Sequence, residues 1–362
     1  MLKEVQYYMK PRLLLSKDKF KIDINNPMYW NPSKILSYNF YLATVEGGRG
    51  IGKTTNMLGY VLNDYCNNGA KFVYIRRYKP EIKQFVDPSK APLNVIVDGI
   101  KYVGDKNGGY TCMYGDDAIG YAIPLSTSKS YKSSKFKNVK WIIFDEYTLQ
   151  RSSTYRYLTD EVITFMELIS TIVRTDTDYR IILMGNNLDM FNPYYQFFNI
   201  PLFDSIYYDK EHNIVCERPK NSPQLIEAEK KTPLYTILKG TAYADYHYDN
   251  KLLVNSQGKI ENKPRDCRLF IKIRINKETL YVNMYNDVKS KELKLYIEVS
   301  NKVCKDDNIT YTLLEDGKNN LYYINLFRKR FSMFLQRLYG TNKVSYSNQR
   351  ACVLFNFIME EF

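Results

Sequence analysis

Gly47-Gly48-Arg49-Gly50-Ile51-Gly52-Lys53-Thr54 is the segment that most restricts how this chain folds. It fits the phosphate-loop pattern G-x-x-x-x-G-K-[ST], which works only where a strand ends, the backbone turns tightly and a helix begins. The glycines let successive N–H groups curve round phosphate oxygens where a Cβ would collide. The apolar run from Phe40 to Val45 precedes the loop and a helix-forming stretch follows it, so both flanks suit the motif. Lys53 is placed to reach the β and γ phosphates of a nucleoside triphosphate and the Thr54 hydroxyl to meet Mg²⁺, with Thr55 continuing the same turn. A helix starting here aims its positive end at the anion.

Three more short runs are continuously apolar: Phe72 to Ile75, Trp141 to Phe144 and Ile181 to Met184. Such runs fit strands buried on both faces, as in a mostly parallel sheet covered by helices. Val162, Phe165, Met166, Ile169, Ile172 and Val173 fall on one helical stripe, with Thr159 placed to cap it and Asp160 and Glu161 in its first turn. Asp98-Gly99 and Gly115-Asp116, set among alternating residues, predict inserted hairpins over 93–125. The expected fold class is α/β: residues 1–220 form a three-layer phosphate-loop domain. Pro219, Asn221, Ser222 and Pro223 mark a boundary, followed by a helical linker over 221–256. Residues 257–362 read as a small α+β domain, in which Ile271, Ile273 and Ile275 alternate with Lys272 and Arg274, and Leu280 to Tyr285 pairs back through Asn276-Lys277.

The strand ending in Phe144 runs into Asp145-Glu146, the pattern of a buried strand that delivers a carboxylate to a metal. Asp145 is then the Mg²⁺ partner, and Glu146 the general base that polarises an attacking water. An acidic pair after a strand is, taken alone, more often a solvated strand end; the phosphate loop upstream changes its meaning. Asn186, in Gly185-Asn186-Asn187 at the end of another strand, is placed to sense the γ-phosphate, although Asn and Gly also simply end strands. Arg174 closes the amphipathic helix. It suits an arginine finger for a neighbour's nucleotide and equally the complement of its own helix C-terminus.

The chain has 362 residues, and 52 Lys+Arg against 39 Asp+Glu leave a formal charge of +13, which favours polyanionic partners. Ser126 to Lys137 packs four lysines and two aromatics among small hydroxyl residues. It reads as a flexible cationic loop in which Lys129, Lys132 and Lys135 meet a phosphodiester backbone without reading sequence, or else as an ordinary solvated loop. Six cysteines without paired spacing and only two histidines argue against zinc, a disulfide scaffold and histidine catalysis, and a reducing cytoplasm is the simplest setting. No apolar run approaches the ~18 residues of a membrane span, so no membrane partner is expected.

Three strings carry a resemblance: Asn31-Pro32-Ser33-Lys34-Ile35-Leu36-Ser37-Tyr38, Arg76-Arg77-Tyr78-Lys79-Pro80-Glu81 and Tyr121-Ala122-Ile123-Pro124-Leu125-Ser126. In order and spacing, from about residue 28 to 240, the chain resembles the DNA-packaging ATPases of small, protein-primed tailed bacteriophages. The resemblance implies a homopentameric ring that drives double-stranded genomic DNA into an empty prohead by ATP hydrolysis. The partners it implies are a portal protein and, in some members, a structural packaging RNA. The implied place is the cytoplasm of the infected bacterial host, transiently at the portal vertex and not in the mature virion. By position it makes Arg174 a trans-acting finger and Lys79 a basic residue reaching the adjacent subunit's nucleotide. It likewise makes Lys132 a lysine touching DNA, and sets Lys34 to Tyr38 near the adenine. It also implies a nuclease-like C-terminal domain of RNase H type without activity, since the run from Leu269 to Ile275 holds Lys272 and Arg274 but no acid. Arg328-Lys329-Arg330 and Arg337 then offer a basic surface for nucleic acid or portal. The alternatives are another oligomeric DNA translocase or helicase, or a non-catalytic nucleic-acid-binding assembly protein.

Overall fold

The computed structural model describes residues 15–149, 156–186, 192–201, 203, 205–241, 259–275, 278–288, 290–300, 310–312, 320–341 and 343–360. The chain divides into two compact units, 1–189 with 203–253, and 190–202 with 254–362.

In the first unit a short helix α1 (Ser33–Leu36) precedes β1 (Leu42–Gly47), α2 (Lys53–Asn68), β2 (Lys71–Arg76), α3 (Lys79–Phe85) and α4 (Pro92–Ile96). Strands β3 (Ile100–Gly104), β4 (Tyr110–Tyr114), β5 (Asp117–Pro124) and β6 (Val139–Asp145) follow, then α5 (Glu161–Val173) and β7 (Arg180–Asn186). A short helix α6 (Pro193–Phe197) groups with the second unit, and β8 (Ile206–Asp209), β9 (Ile214–Glu217), α7 (Pro223–Lys230) and α8 (Pro233–Leu238) complete the first. The nine strands form one sheet in the order β3-β4-β5-β2-β6-β7-β1-β9-β8. From β5 to β9 every pair is parallel, and antiparallel strands close both ends. The four continuously apolar runs lie in β1, β2, β6 and β7, the middle of the sheet, where helices cover both faces and neither face is free for polar residues.

Three local expectations need correction. β4 and β5 do turn at Gly115-Asp116, but the other hairpin turns at 105–109 rather than at Asp98-Gly99. There the Asp105 carboxylate accepts from the N–H groups of Asn107 (2.7 Å) and Gly109 (3.0 Å) and closes the turn, whereas Gly99 only leads from α4 into β3. Helix α5 starts at Glu161 with Asp160 in the cap position at φ 52°, so Thr159 does not cap it. The Glu161 carboxylate accepts instead from Leu158 N–H (2.8 Å) and pairs with Arg77. The helices after Pro219 are not a separate linker either. Ser222 caps α7 by accepting from Leu225 N–H and donates to the Met28 carbonyl (2.7 Å), and Leu225 lies in the core of the first unit.

The second unit holds a six-stranded sheet of β10 (Lys259–Ile260), β11 (Arg268–Ile275), β12 (Glu278–Asn286), β13 (Leu293–Ser300), β14 (Thr310–Thr312) and β15 (Val344–Tyr346). Their order is β10-β15-β13-β12-β11-β14. Ile275 faces Glu278 across the β11–β12 pair, as the alternation indicated; Asn276-Lys277 between them lie outside the described residues. Ile271, Ile273, Ile275, Leu280, Val282, Leu295 and Ile297 pack with Phe327 and Leu335 of helix α9 (Asn320–Gly340) and Leu354, Phe355 and Ile358 of α10 (Gln349–Glu360). Among the described residues no helix is long and apolar enough to cross a membrane.

The segment 20–30, which mixes apolar side chains with Lys21, Asp23, Asn25 and Asn26, is strapped onto the first unit partly by backbone bonds. Lys21 N–H donates to the Ile96 carbonyl (2.8 Å) and Trp30 N–H to that of Ile51 (2.8 Å). The Trp30 indole N–H donates to Glu217 (2.9 Å). Ile24 rests on α2 at Gly59, where a Cβ would overlap its methyl carbon. Gly-to-Ala in a helix ordinarily gains ~1 kcal/mol. Gly59→Ala is expected to reverse that sign, costing about 1–3 kcal/mol by overpacking, which chemical denaturation measures.

Candidate functional site

The glycine loop leaves β1 and enters α2 with Gly50 at φ 80° and Gly52 at φ 83°, left-handed values that a side chain would strain. Tyr29 lies against Gly52, so the loop is closed from outside by the strap. Lys53 is buried, and its Nζ donates to the carbonyls of Gly47 (2.9 Å) and Gly48 (2.8 Å) and to Asn186 Oδ1 (3.4 Å). Burial pulls its amine down to about 8, against the opposing pull of Asp145, Glu146 and Glu46.

Strand β6 delivers Asp145 to the same place, two strands away from β1 with β7 between. Asp145 Oδ2 accepts from the Thr54 hydroxyl (2.7 Å) and from Tyr74 (2.8 Å), and its Oδ1 from Glu146 N–H (3.0 Å). Tyr74 is itself buried in β2 and stacked on Phe85 at 3.8 Å between ring centroids. Thr54 and Asp145 thus set a hydroxyl and a carboxylate side by side, the hard oxygen donors that suit Mg²⁺.

Glu146 follows at φ 55°, left-handed for a side-chain-bearing residue, with its carboxylate paired to the Arg76 guanidinium. Burial raises its carboxyl above the usual range while Arg76 opposes the shift. Arg76 also pairs with Glu81 at 3.2 Å, and Glu81 accepts from Tyr78 N–H at the start of α3. Beyond Glu146 the chain is laced down on both sides. The Tyr147 hydroxyl donates to Glu46 (2.6 Å), Arg218 pairs with the same carboxylate (3.2 Å), and the Thr148 hydroxyl donates to the Asn186 carbonyl (3.0 Å).

A cavity of about 680 Å³ opens over these groups. Arg49, Gly50, Ile51, Gly52, Lys53, Thr54, Thr55, Asp145, Glu146 and Asn186 line it, together with Ile22, Asp23, Asn26, Tyr29 and Val95. The strap and α4 therefore make its second wall, not the segment Lys34 to Tyr38. There Lys34 reaches Glu217 (3.5 Å), Ile35 enters the core and Tyr38 packs edge-on against Tyr208.

The remaining residues singled out from sequence lie elsewhere. Lys79 is exposed at the start of α3, where its side chain runs beside Gly108 of the β3–β4 turn. Arg174 is exposed at φ 49° and donates to the Ser134 carbonyl (3.0 Å) of its own chain. Lys129, Lys132 and Lys135 are exposed, but their segment is anchored rather than loose. Leu125 to Tyr131 forms a 3-10 turn, the Tyr131 hydroxyl donates to Asp105 (2.9 Å), and Phe136 packs on Tyr121. Tyr74, Arg76, Arg77, Glu161 and Arg218 were not picked out for the site from sequence. The doubled arginine at the tip of the apolar run in β2 was the available sign, since two charges at a buried strand end need partners there.

A parallel sheet that brings a phosphate loop and a strand-end acid pair to one cavity defines a phosphate-loop α/β protein. Its fold is shared, at a TM-score of 0.61 and 24% identity, by the bacteriophage phi29 viral genome packaging motor assembly, over 92% of this chain and 98% of that one. The phi28 gp11 DNA packaging motor shares it equally, at 0.61 and 18% identity, over 91% and 97%. The DNA packaging protein of Bacillus phage phi29 is 29% identical over 317 residues, covering 86% of this chain and 90% of the relative. The chain belongs to the podovirus DNA encapsidation protein (Gp16) family, whose model matches residues 24–353, and it is a phage DNA-packaging motor protein.

Because the folded protein lowers the Lys53 amine to about 8, that group loses its proton at a pH where free lysine keeps it. An anion at the loop favours the charged amine, so binding of a non-hydrolysable ATP analogue in EDTA should weaken above pH 8. The expected slope approaches tenfold per pH unit until the amine's own value in the complex is reached. Calorimetry from pH 7 to 10 reads this directly, and a flat profile contradicts it.

Proposed function

We propose that this chain hydrolyses ATP and uses each cycle to move double-stranded DNA through a portal into a preformed prohead, as one subunit of a homo-oligomeric ring. The observation that carries the reading is the meeting of Thr54 and Asp145 at 2.7 Å beside the buried Lys53 amine and Glu146 in one cavity. The insertion of β7 between β1 and β6 fits the additional-strand (ASCE) class of phosphate-loop domains, in which an acid beside the metal ligand activates water.

Thr54 and Asp145 would hold Mg²⁺, which supplies charge neutralisation on the β and γ phosphate oxygens. Lys53 exchanges its bonds to the Gly47 and Gly48 carbonyls for phosphate oxygens, and the loop N–H groups surround them. Glu146 takes the proton from the attacking water. Its raised carboxyl suits that role, and because a carboxylate held by a guanidinium is a weaker base, the Arg76 contact loosens when the base acts. Asn186, bonded to Lys53 and joined through its carbonyl to Thr148, is placed to register loss of the γ-phosphate. Arg174 and Lys79 lie outside the cavity wall and serve a neighbouring subunit's nucleotide, Arg174 after leaving Ser134. Lys129, Lys132 and Lys135 grip the duplex backbone from an anchored segment.

The second unit supports a nuclease-like shape of RNase H type. Its meander β11-β12-β13 with β14 parallel to β11 follows that order, while β15 departs by joining the opposite edge beside β13. Of the scattered acids Asp287, Glu298, Asp306 and Asp307, the first two are paired with Lys294 (2.6 Å) and Lys263 (2.5 Å), and the last two lie outside the described residues. The unit is read as inactive in cleavage and as a docking domain, with Lys329, Arg330 and Arg337 exposed on α9 toward nucleic acid or portal, while the Arg328 side chain lies outside the described residues. A packaging RNA is a further partner in this reading. The place of action is the infected host's cytoplasm, at the portal vertex.

Glu146→Gln tests the reading. It should keep ATP binding within a few-fold while turnover falls by about 10²–10⁴, the range of a lost general base. Retained turnover, or a parent protein that never hydrolyses ATP, contradicts it.

A further inference from the structure

Arg77 is not among the residues lining the cavity, yet among the described residues it is one of the most deeply buried side chains, at 1% exposure. Its Nε and one terminal nitrogen donate to Glu161, at 2.7 and 2.9 Å, in a two-pronged pair whose members are both buried. That same terminal nitrogen also donates to the Tyr147 carbonyl (2.8 Å), and the second terminal nitrogen donates to the Glu146 carbonyl (3.2 Å), so the fork also holds the main chain at the end of the acid pair. The rings of Phe144 (5.5 Å) and Tyr157 (5.0 Å) flank the guanidinium. A planar fork of this kind has one orientation in which all its bonds are made.

The carbonyl that Arg77 holds belongs to the residue at φ 55°, a conformation that costs about 1–3 kcal/mol unless its surroundings impose it. Glu161 is the first residue of α5, so the pair joins that helix to the backbone of Glu146. We infer that Arg77, fixed by Glu161, is a positioning residue that imposes the left-handed backbone of Glu146 and so aims its carboxylate into the cavity. Arg76 and Arg77 then divide the work, the first on the carboxylate and the second on the main chain of the same residue. The inference rests on the reading of Glu146 as the general base.

Lysine keeps the charge opposite Glu161 but cannot also bridge both carbonyls, so Arg77→Lys is the informative substitution, with Glu161→Gln as the second variant should the first not fold. In the full chain, kcat for ATP should fall about tenfold or more while the affinity for a non-hydrolysable ATP analogue changes less than about threefold. The loss should also depend on Glu146: in a Glu146→Gln background, either substitution should lower the residual single-turnover rate by less than about twofold. An unchanged kcat in folded, nucleotide-binding Arg77→Lys overturns the inference. So does an equal proportional loss in both backgrounds, which is what a merely structural role gives. If instead Glu146→Gln alone leaves kcat intact, the general-base reading beneath the inference is what fails.

Discussion

The first unit is organised round a hydrogen bond between the first turn of α2 and the tip of β6, from the Thr54 hydroxyl to Asp145. α2 and β6 also meet farther along, where the Trp141 indole donates to Asp64 (2.7 Å), but at the loop end β7 lies between β1 and β6 and side chains make the connection. That constraint explains why so many charged groups converge at one edge of an apolar sheet. A carboxylate there is costly unless its oxygens are satisfied. Thr54, Tyr74 and the Glu146 amide satisfy those of Asp145, Arg76 serves Glu146, and Tyr147 with Arg218 serve Glu46. The network positions the groups, and the parallel sheet beneath keeps it rigid.

What was legible in the sequence was what local physics dictates. A glycine-rich turn between an apolar run and a helix has few alternative structures, so β1, the loop and α2 follow from composition and spacing. The four buried strands follow for the same reason, since continuous apolar runs of that length have nowhere else to go. The acid pair at the end of β6 was legible only through the phosphate loop upstream, since after a strand alone two carboxylates are more often a solvated strand end.

Less legible were the parts fixed by long-range or side-chain closure. The strap at 20–30 is short and mixed, alternating only from Phe20 to Ile24, and its place depends on single bonds such as Trp30 N–H to the Ile51 carbonyl. The resemblance implied instead that Lys34 to Tyr38 lies near the adenine, but that segment does not line the cavity and sits by Glu217 and Tyr208. Asn107-Gly108-Gly109 was a stronger turn signal than Asp98-Gly99, and it marks the turn that Asp105 closes. Tyr131 and Phe136 likewise signalled that the lysine-bearing segment is packed, although its charges suggested looseness. The block Arg76 to Glu81 proved to be the clamp on the acid pair, a role that only the pairing of β2 with β6 makes visible.

The central claim is that chemistry at Glu146 and Lys53 is what moves the DNA. Protection of genomic DNA from added DNase tests it most directly, with the protein assembled on proheads with its packaging partners and supplied with ATP. The account expects the parent chain to protect full-length DNA and Glu146→Gln to protect none while still joining the assembly. Protection by the Glu146→Gln assembly equal to the parent's would contradict it.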